Sequence, residues 1–489
     1  MKKMYFLLLC TFGCFGQTQI GADINGEAAN DNSGSSVSLS SDGNVMAIGA
    51  YGNDGNGSNS GHVRIYQNIS GVWTQIGADI NGETNSNSSG NSVSLSSDGS
   101  VVAIGAPENN GAGIGNGHVR VYQNISGVWT QIGADIDGEA SYDGSGYVSL
   151  SSDGSVVAIG APGNDGNGSN SGHVRIYQNI SGVWTQIGTD INGWAASIGI
   201  GLHVSLSNNG SIVAIGAPNS SVNFGYDGST RIYQNISGVW TQIGADITGG
   251  NTNNYSGYSV SLSSDGSMVA IGSPYNDGNG TDSGRVRIYQ NMSGVWTQIG
   301  TDIYGEAVND YSGINISLSG DGSLVAIGSP FNDGNGTSSG HVRIYQNISG
   351  VWTQIGVDID GEAAGDQIGN NSSVSLSSNG NVLAIGSPFN DGNGVDSGHV
   401  RVFNLSVLLK SDSFVLDSFS IYPNPTTEIL NITLKSNLTL EKVNIYTTLG
   451  QLIKTENKSQ INISSLTKGT YFVEVITNQG KATKTIIVE

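Results

Sequence analysis

Residues 92–136 read SVSLSSDGSVVAIGAPENNGAGIGNGHVRVYQNISGVWTQIGADI. Four runs in this stretch alternate polar and apolar residues or are short and apolar, as β-strands are, and turn residues separate them. We label these runs A (92–96), B (101–106), C (118–124) and D (129–136). The Ser-Asp-Gly sequence between A and B suits a tight hairpin turn. The stretch therefore predicts a four-stranded antiparallel sheet.

The stretch recurs at intervals of 55 or 56 residues, and its marker Gln-Ile-Gly stands at 19–21, 75–77, 131–133, 186–188, 242–244, 298–300 and 354–356. A lone D run (17–24) precedes the first A run, and the last copy has A, B and C at 373–404 but no D run. A closed ring needs such a spare strand to complete its last sheet, whereas a parallel β-solenoid does not. We therefore predict an all-β fold with a seven-bladed β-propeller over 17–405, closed by the N-terminal strand; a β-solenoid is the alternative.

Two rims follow from this arrangement. In an antiparallel blade the short A–B and C–D turns fall on one rim, and the long, variable B–C and D–A connections fall on the other. Binding residues concentrate in loops that a rigid scaffold positions. We call the second rim the loop face and expect a ligand to bind there.

Charge separates the repeats from both ends of the chain. Residues 17–405 contain 32 acidic residues, eight Arg and no Lys, whereas 406–489 contain eight Lys and seven acidic residues. This strongly acidic repeat region argues against nucleic acid and anionic membranes as partners. The change in composition predicts a linker at 406–418 and a second domain at 419–489.

The first sixteen residues resemble a signal peptide. Lys2 and Lys3 precede an apolar run, and Cys14 and Gly16 suit a cleavage site before Gln17. A lipoprotein in which Cys14 carries the lipid is the alternative. Because the only other cysteine, Cys10, also lies in this segment, we expect the mature chain to have no disulfide.

The B strands carry a family resemblance. They end in Ile-Gly-Ala-Pro (104–107, 159–162, 215–218) or Ile-Gly-Ser-Pro (271–274, 327–330, 385–388), after Ser-Gly-x-Ser-Val at 33–37, 89–93 and 256–260. This pattern resembles the FG-GAP repeats of integrin-α-like propellers, with Ser-Gly in place of Phe-Gly. The family's calcium loop, Asp-x-Asp-x-Asp-Gly, is replaced by the tight A–B turn, so that site is not expected here.

A different acidic loop, Asn-Asp-Gly-Asn-Gly, recurs between B and C at 53–57, 164–168, 276–280, 332–336 and 390–394. Side-chain oxygens two residues apart beside a flexible Gly suit Ca²⁺, although Asn-Asp-Gly is also ordinary turn chemistry. The candidate calcium ligands are Asp54, Asn56, Asp165, Asn167, Asp277, Asn279, Asp333, Asn335, Asp391 and Asn393. With one fixed carboxylate per loop we favour plain turns, and we expect no other cofactor.

Charged residues also recur on strands C and D. Five histidines share one repeat position: His62, His118, His173, His341 and His399. An Arg on strand C and an Asp on strand D recur in all seven copies. Pairing C with D through the tight turn predicts His62 opposite Asp79 and Arg64 diagonal to it, which is an ion-pair ladder on the outer strands. By the same pairing, Asp23 of the N-terminal strand should lie opposite His399.

Aromatic residues give the binding-site candidates. A Trp opens six of the D runs, and its regular placement predicts packing at the blade edges. Trp194, in the D–A connection of the third copy, breaks the pattern, as do Phe224 and Tyr226 in the B–C connection of the fourth. These three residues are the predicted ligand-binding candidates; neutral drift is the alternative.

The C-terminal region has its own signature. Ser-Ile-Tyr-Pro-Asn-Pro (420–425) precedes alternating runs at 429–434, 442–447, 461–463, 471–477 and 483–488, with Leu-Gly-Gln at 449–451 and Leu-Thr-Lys-Gly-Thr-Tyr at 466–471. It resembles the type A sorting domain of the type IX secretion system of Bacteroidota, which implies a small β-sandwich that directs passage through the outer membrane. An immunoglobulin-like binding module is the alternative.

Together these patterns predict a non-enzymatic binding or adhesion propeller, exported through the periplasm to the cell surface or the medium. Its expected partners are the type IX machinery, through 419–489, and an extracellular protein or glycan. A structural matrix protein without a specific ligand and a propeller enzyme are the alternatives. An enzyme would need an acidic or histidine cluster that breaks the repeat symmetry near the axis.

Overall fold

The computed structural model describes residues 17–221, 225–409, 419–435, 438–447, 451–477 and 480–489. The predicted signal peptide (1–16), Phe224 and most of the predicted linker lie outside these residues. The described chain forms two compact units, 17–405 and 406–489. One short helix, Ser406–Leu409, accompanies the strands, so the predicted all-β class is confirmed. Among the described residues, no helix is both long and apolar enough to cross a bilayer.

Within 17–405 the described strands form seven antiparallel sheets of four or five strands. The A strands are Ser36–Leu39, Ser92–Leu95, Tyr147–Leu150, Val204–Leu206, Ser259–Leu262, Asn315–Leu318 and Val374–Leu376. The B strands are Val45–Ala50, Val101–Ala106, Val156–Ala161, Ile212–Ala217, Met268–Ser273, Leu324–Ser329 and Val382–Ser387. The C strands are His62–Ile69, His118–Ile125, His173–Ile180, Ser229–Ile236, Arg285–Met292, His341–Ile348 and His399–Asn404.

The D strands are less regular than predicted. In the sixth copy D is one strand, Val351–Asp360. Elsewhere it is two short strands: Val72–Gln75 and Ile80–Asn81, Val128–Gln131 and Ile136–Asp137, Val183–Gln186 and Ile191–Asn192, Val239–Gln242 and Ile247–Thr248, Val295–Gln298 and Ile303–Tyr304, and Thr18–Gln19 and Ile24–Asn25. The last pair is N-terminal and joins the sheet of the last A, B and C strands.

This interruption corrects the predicted register. Gly77 has a φ of +75°, which bends strand D out of the ladder and leaves Asp79 unpaired in the backbone register. His62 is therefore paired with Asn81, and His399 with Asn25, so the predicted Asp79 and Asp23 pairings are wrong by two residues.

Adjacent sheets are joined through their A strands. The backbone N–H of each A-strand Leu donates to a Ser Oγ on the preceding A strand, as Leu95 does to Ser38 at 3.0 Å. Leu39, on the first A strand, donates to Ser375 on the last, also at 3.0 Å. The motif glycines allow this close packing, because a Cβ at Gly49 would collide with the carbonyl oxygen of Gly90.

Trp side chains join the outer strands. Each Trp at the start of a D strand donates its Nε1–H to the Ile carbonyl of the preceding D strand, as Trp73 does to Ile20 at 3.0 Å. Gln17 stands where this Trp would stand in the N-terminal D strand, and its Nε2 donates to the carbonyl of Val357 at 2.6 Å. Between the sheets lie buried clusters of Val, Ile and Leu, one of which contains Ile24, Val37 and Val400.

Unit 406–489 has one core of its own. Its strands are Phe419–Tyr422, Ile429–Leu434 and Gln460–Asn462 in one sheet, and Leu440–Thr447, Leu452–Glu456, Gly469–Thr477 and Gly480–Val488 in the other. Fully buried Leu430 from the first sheet and Val443, Val473 and Ile486 from the second share this core.

Candidate functional site

A cavity of about 280 Å³ lies where the seven A strands begin, on the rim of the B–C and D–A connections. Its lining residues include Ser35, Asn91, Tyr147, His203, Tyr258, Ile314 and Asn371, which come from seven different copies. The lining therefore has no repeat symmetry, although the strands around it do. No carboxylate lines the cavity among the described residues.

Sequence reasoning missed this cavity. The sequence does contain a sign of it. The interval between the Gly of the Ser-Gly motif and the first apolar residue of strand A differs in length and in residue type from copy to copy. Tyr147 alone fills this interval in the third copy, whereas four residues, 370–373, fill it in the seventh. These differences between copies remove the repeat symmetry from the residues that line the cavity.

His203 is the titratable group with the clearest perturbation in the cavity. Burial lowers its pKa from 6.5 to about 4, and its ring lies 5.7 Å from that of Tyr258 between centroids. The imidazole is therefore neutral at neutral pH and can both donate and accept a hydrogen bond.

We expect His203 to make the protein less stable in acid. Its pKa is depressed in the folded state, so the unfolded chain binds the proton first, and the stability present above pH 6.5 is lost as the pH falls toward 4. Replacing His203 by Gln should reduce the pH slope of the unfolding free energy by at most about 1.4 kcal/mol per pH unit. Denaturant titrations at pH 7 and pH 5 measure this slope, and equal slopes for both chains would contradict the prediction.

A row of aromatic rings runs along the loop face beside the cavity. Successive centroids are 5.4 Å apart for Tyr226–Tyr255, 4.8 Å for Tyr255–Tyr275, 5.1 Å for Tyr275–Tyr311 and 5.2 Å for Tyr311–Phe331. We call these five residues the aromatic row. Tyr258, which lines the cavity, lies 6.3 Å from Tyr275 and connects the two features.

Two members of the row have a strained backbone. Tyr255 and Tyr311 have φ values of +51° and +52°, a conformation that bulky residues rarely adopt. Gly144 and Gly199 occupy the same position in the third and fourth copies. Asn32, Ser88 and Gln367 have the same conformation in the other three copies, so the positive φ belongs to the repeat rather than to the row alone.

Trp194 and Tyr226, the two predicted ligand-binding residues that the structure describes, have different neighbours. Tyr226 is 49% exposed and begins the aromatic row. Trp194 instead packs against Arg231, whose guanidinium carbon lies 3.5 Å from the centre of the ring. Phe224 lies outside the described residues. Tyr255, Tyr275, Tyr311 and Phe331, which sequence reasoning passed over, complete the row.

The Asn-Asp-Gly-Asn-Gly loops have the hydrogen bonds of ordered turns. Asn53 Oδ1 accepts from the N–H of Gly55 at 2.8 Å, and Asp54 Oδ1 accepts from that of Asn59 at 2.8 Å. Asn56 Nδ2 donates to the carbonyl of Gly82 at 2.9 Å, which joins the loop to the next D–A connection. Plain turns stay the prediction for these loops, and calcium binding stays the untested alternative.

The predicted ion-pair ladder is right in placing His62 beside Asp79 and wrong for Arg64. Arg64 Nη1 lies 3.6 Å from Glu27 Oε1, in the D–A connection before its sheet, rather than beside Asp79. The cause is Glu27 itself, because the equivalent Arg231 pairs with Asp246 at 2.8 Å where Trp194 replaces the Glu. His62 Nδ1 lies 4.0 Å from Glu27 Oε2 and 3.9 Å from Asp79 Oδ2.

This arrangement recurs, and we call it the Glu–His–Asp cluster. Its five examples are Glu27–His62–Asp79, Glu83–His118–Asp135, Glu139–His173–Asp190, Glu306–His341–Asp358 and Glu362–His399–Asp23. Burial lowers the pKa of His62, His118, His173 and His341 to about 4, and it also lowers that of His399. Each imidazole is therefore neutral at neutral pH.

Comparison with known proteins finds matches to domains and folds, while no curated protein sequence matches the chain. Among solved structures, the hydrazine synthase of Kuenenia stuttgartiensis is 12% identical, with a TM-score of 0.48, over 75% of this chain and 94% of that one. The periplasmic gluconolactonase of Pseudomonas aeruginosa is 13% identical, with a TM-score of 0.47, over 87% of this chain and 95% of that one. At this level of similarity, neither activity is assigned to this chain.

Family models match two parts of the sequence. Residues 25–66 and 247–289 match the FG-GAP repeat, and residues 420–489 match the secretion system C-terminal sorting domain. The chain therefore has FG-GAP repeats in its sheet-forming region and a type IX sorting domain at its C-terminal end, which confirms both predicted resemblances and indicates export.

Proposed function

We propose that this protein is an exported, non-enzymatic binding protein whose loop face holds an extracellular glycan. Residues 17–405 then form a seven-bladed propeller closed by the N-terminal strand, after a signal peptide at 1–16. A linker at 406–418 joins it to the sorting domain at 419–489. The bonds between neighbouring A strands, including the one from Leu39 to Ser375, support the closed ring.

The aromatic row carries this proposal. Pyranose rings present apolar C–H faces between hydroxyl groups, and tyrosine offers an apolar ring face beside a polar hydroxyl. The row of five rings continues through Tyr258 into the cavity. A chain of sugars fits such a surface better than a single small molecule does, because the row extends over five rings with successive centroids 4.8–5.4 Å apart.

Other features support binding rather than catalysis. The cavity has Ser, Asn, Tyr and His groups for hydrogen bonds, but no carboxylate among the described lining residues for general acid or base work. The net charge of −21 disfavours nucleic acid and anionic glycans, so we propose a neutral glycan as the ligand.

Replacing Tyr275 by Ala should weaken glycan binding by about tenfold or more, since the central ring of the row contacts three others. A glycan array finds the ligand, and calorimetry with the best hit measures the change. Tyr142→Ala is the matched control, because Tyr142 is 70% exposed and stands outside the row. Equal affinity for wild type and Tyr275→Ala, or an array without hits, would contradict the proposal.

A further inference from the structure

Comparison of the seven copies of the repeat shows which residues occur together. Glu at the second residue of the D–A connection and His at the start of strand C occur together in the five clusters named above. For the sheet of the fourth copy, Trp194 of the preceding D–A connection stands in place of the Glu and Ser229 in place of the His. For the sheet of the fifth copy, Gly250 and Arg285 stand in these places. The Asp of strand D is kept in all seven. The Glu and the His are thus retained as a pair and lost as a pair.

A direct hydrogen bond does not explain this pairing. In four of the clusters His Nδ1 lies 3.7–4.0 Å from the Glu Oε2, beyond the 2.7–3.2 Å typical of a hydrogen bond. His62 is 1% exposed and its Nε2 has no hydrogen bond to a described residue, while at His173, also 1% exposed, this holds for both ring nitrogens. The His62 ring is therefore a buried polar group that directs Nδ1 at two carboxylates without bonding to either.

The spacing suits an ion between the three groups. Two ligand atoms of a tetrahedral ion, each about 2.0–2.2 Å from it, lie about 3.3–3.6 Å apart. The His Nδ1 distances to the Asp Oδ2, 3.9, 3.7 and 3.7 Å in three of the clusters, are slightly longer than this, as are those to the Glu Oε2, so a small rotation of the solvent-accessible carboxylates would bring them to an ion.

Each carboxylate is also oriented for this role. Glu27 directs Oε1 at Arg64 and Oε2 at His62. Asp79 Oδ1 accepts from Gln75 Nε2 at 2.7 Å, which leaves Oδ2 facing His62. Partners that hold a ligand by its other oxygen are typical of metal sites.

The two exceptional copies place a fixed cation beside the same Asp. Arg285 stands at the His position of the fifth copy, and its Nη1 lies 3.2 Å from Asp302 Oδ2. In the fourth copy Arg231 turns to Asp246, with Nη2 2.8 Å from Oδ2. A guanidinium thus neutralises this Asp wherever the Glu–His pair is missing.

We propose that each Glu–His–Asp cluster binds a divalent transition-metal ion of the Zn²⁺ type. One imidazole nitrogen and two carboxylates suit Zn²⁺, whereas Ca²⁺ takes oxygen ligands. Each ion would link a D–A connection to the sheet that follows it. In the seventh copy it would join three distant parts of the chain, through Glu362, His399 and Asp23.

The test is the metal stoichiometry of the purified, untagged protein. After treatment with a chelator, titration with Zn²⁺ should load five ions per chain, one for each cluster. His62→Ser should remove one of the five ions and one fifth of the visible absorption of the Co²⁺ form. Serine is already tolerated at this position, since Ser229 occupies it in the fourth copy.

Asp246→Asn is the matched control, because Asp246 corresponds to Asp79 in a copy that lacks the Glu and the His. This variant should keep the full stoichiometry, whereas Asp79→Asn should lose one ion. The proposal is overturned if no Zn²⁺ binds, if His62→Ser leaves the stoichiometry unchanged, or if Ca²⁺ competes as well as Zn²⁺ does.

Discussion

A chain that lacks residues 17–25 should lose most of its stability and aggregate. These residues supply both outer strand segments of the last sheet, and they pair with strand His399–Asn404 through Thr18, Gln19, Ile24 and Asn25. Without them the strand would present an open edge to other chains, a common route to aggregation. The fraction of soluble protein and the denaturant midpoint measure the effect.

A single substitution tests the contribution of the N-terminal strand in a chain that still folds. Ile24 is 7% exposed and packs in the core between the last and the first sheets, so Ile24→Ala should cost about 2–4 kcal/mol of unfolding free energy. Ile80→Ala is the matched control, because Ile80 is 5% exposed at the same repeat position of the first sheet. Both variants should be destabilised, but only Ile24→Ala should expose the N-terminal segment to protease. Equal protease resistance of the Ile24→Ala and Ile80→Ala variants would show that the N-terminal segment does not close the last sheet.

The sequence was sufficient to predict the features that each copy of the repeat contains within itself. Four strands, their turns and the period follow from alternation and from turn residues, because neighbours within one copy determine them. The register of strand D did not follow, because a positive φ at Gly77 displaces Asp79 by a bend that hydrophobic alternation does not reveal. A regular strand was the simplest assumption, and it gave His62 the wrong backbone partner, Asp79 in place of Asn81.

Contacts between copies were harder to predict than contacts within them. The Glu27 partner of Arg64 lies in the connection from another sheet, and the aromatic row joins B–C connections to D–A connections of neighbouring copies. Gly61 and Ser89, from two such connections, form a parallel bridge between them. The sequence of a single copy does not show which loops of neighbouring copies are in contact.

Removing residues 419–489 should leave the repeat region folded but inside the cell envelope. The repeat region is a compact unit by itself, with its own buried clusters, so the sorting domain is not needed for its packing. If that domain directs export, the truncated protein should accumulate in the periplasm, while the full chain and the Tyr142→Ala variant reach the cell surface or the medium. Fractionation followed by immunoblotting separates these outcomes, and extracellular truncated protein would contradict the role in export.

A substitution that buries a charge in the sorting domain tests whether the export machinery recognises the folded domain or a linear peptide within it. Val473 is 0% exposed in the core that both sheets of the domain share, so Val473→Asp would bury an unpaired carboxylate and should unfold the domain. Phe472, its neighbour in the strand, is 37% exposed, so Phe472→Asp leaves the fold intact and serves as the control. If the folded domain is recognised, Val473→Asp should retain the protein as the truncation does, and Phe472→Asp should not. Normal export of Val473→Asp would instead assign the signal to a short sequence within 419–489, since one buried substitution leaves the rest of that sequence unchanged.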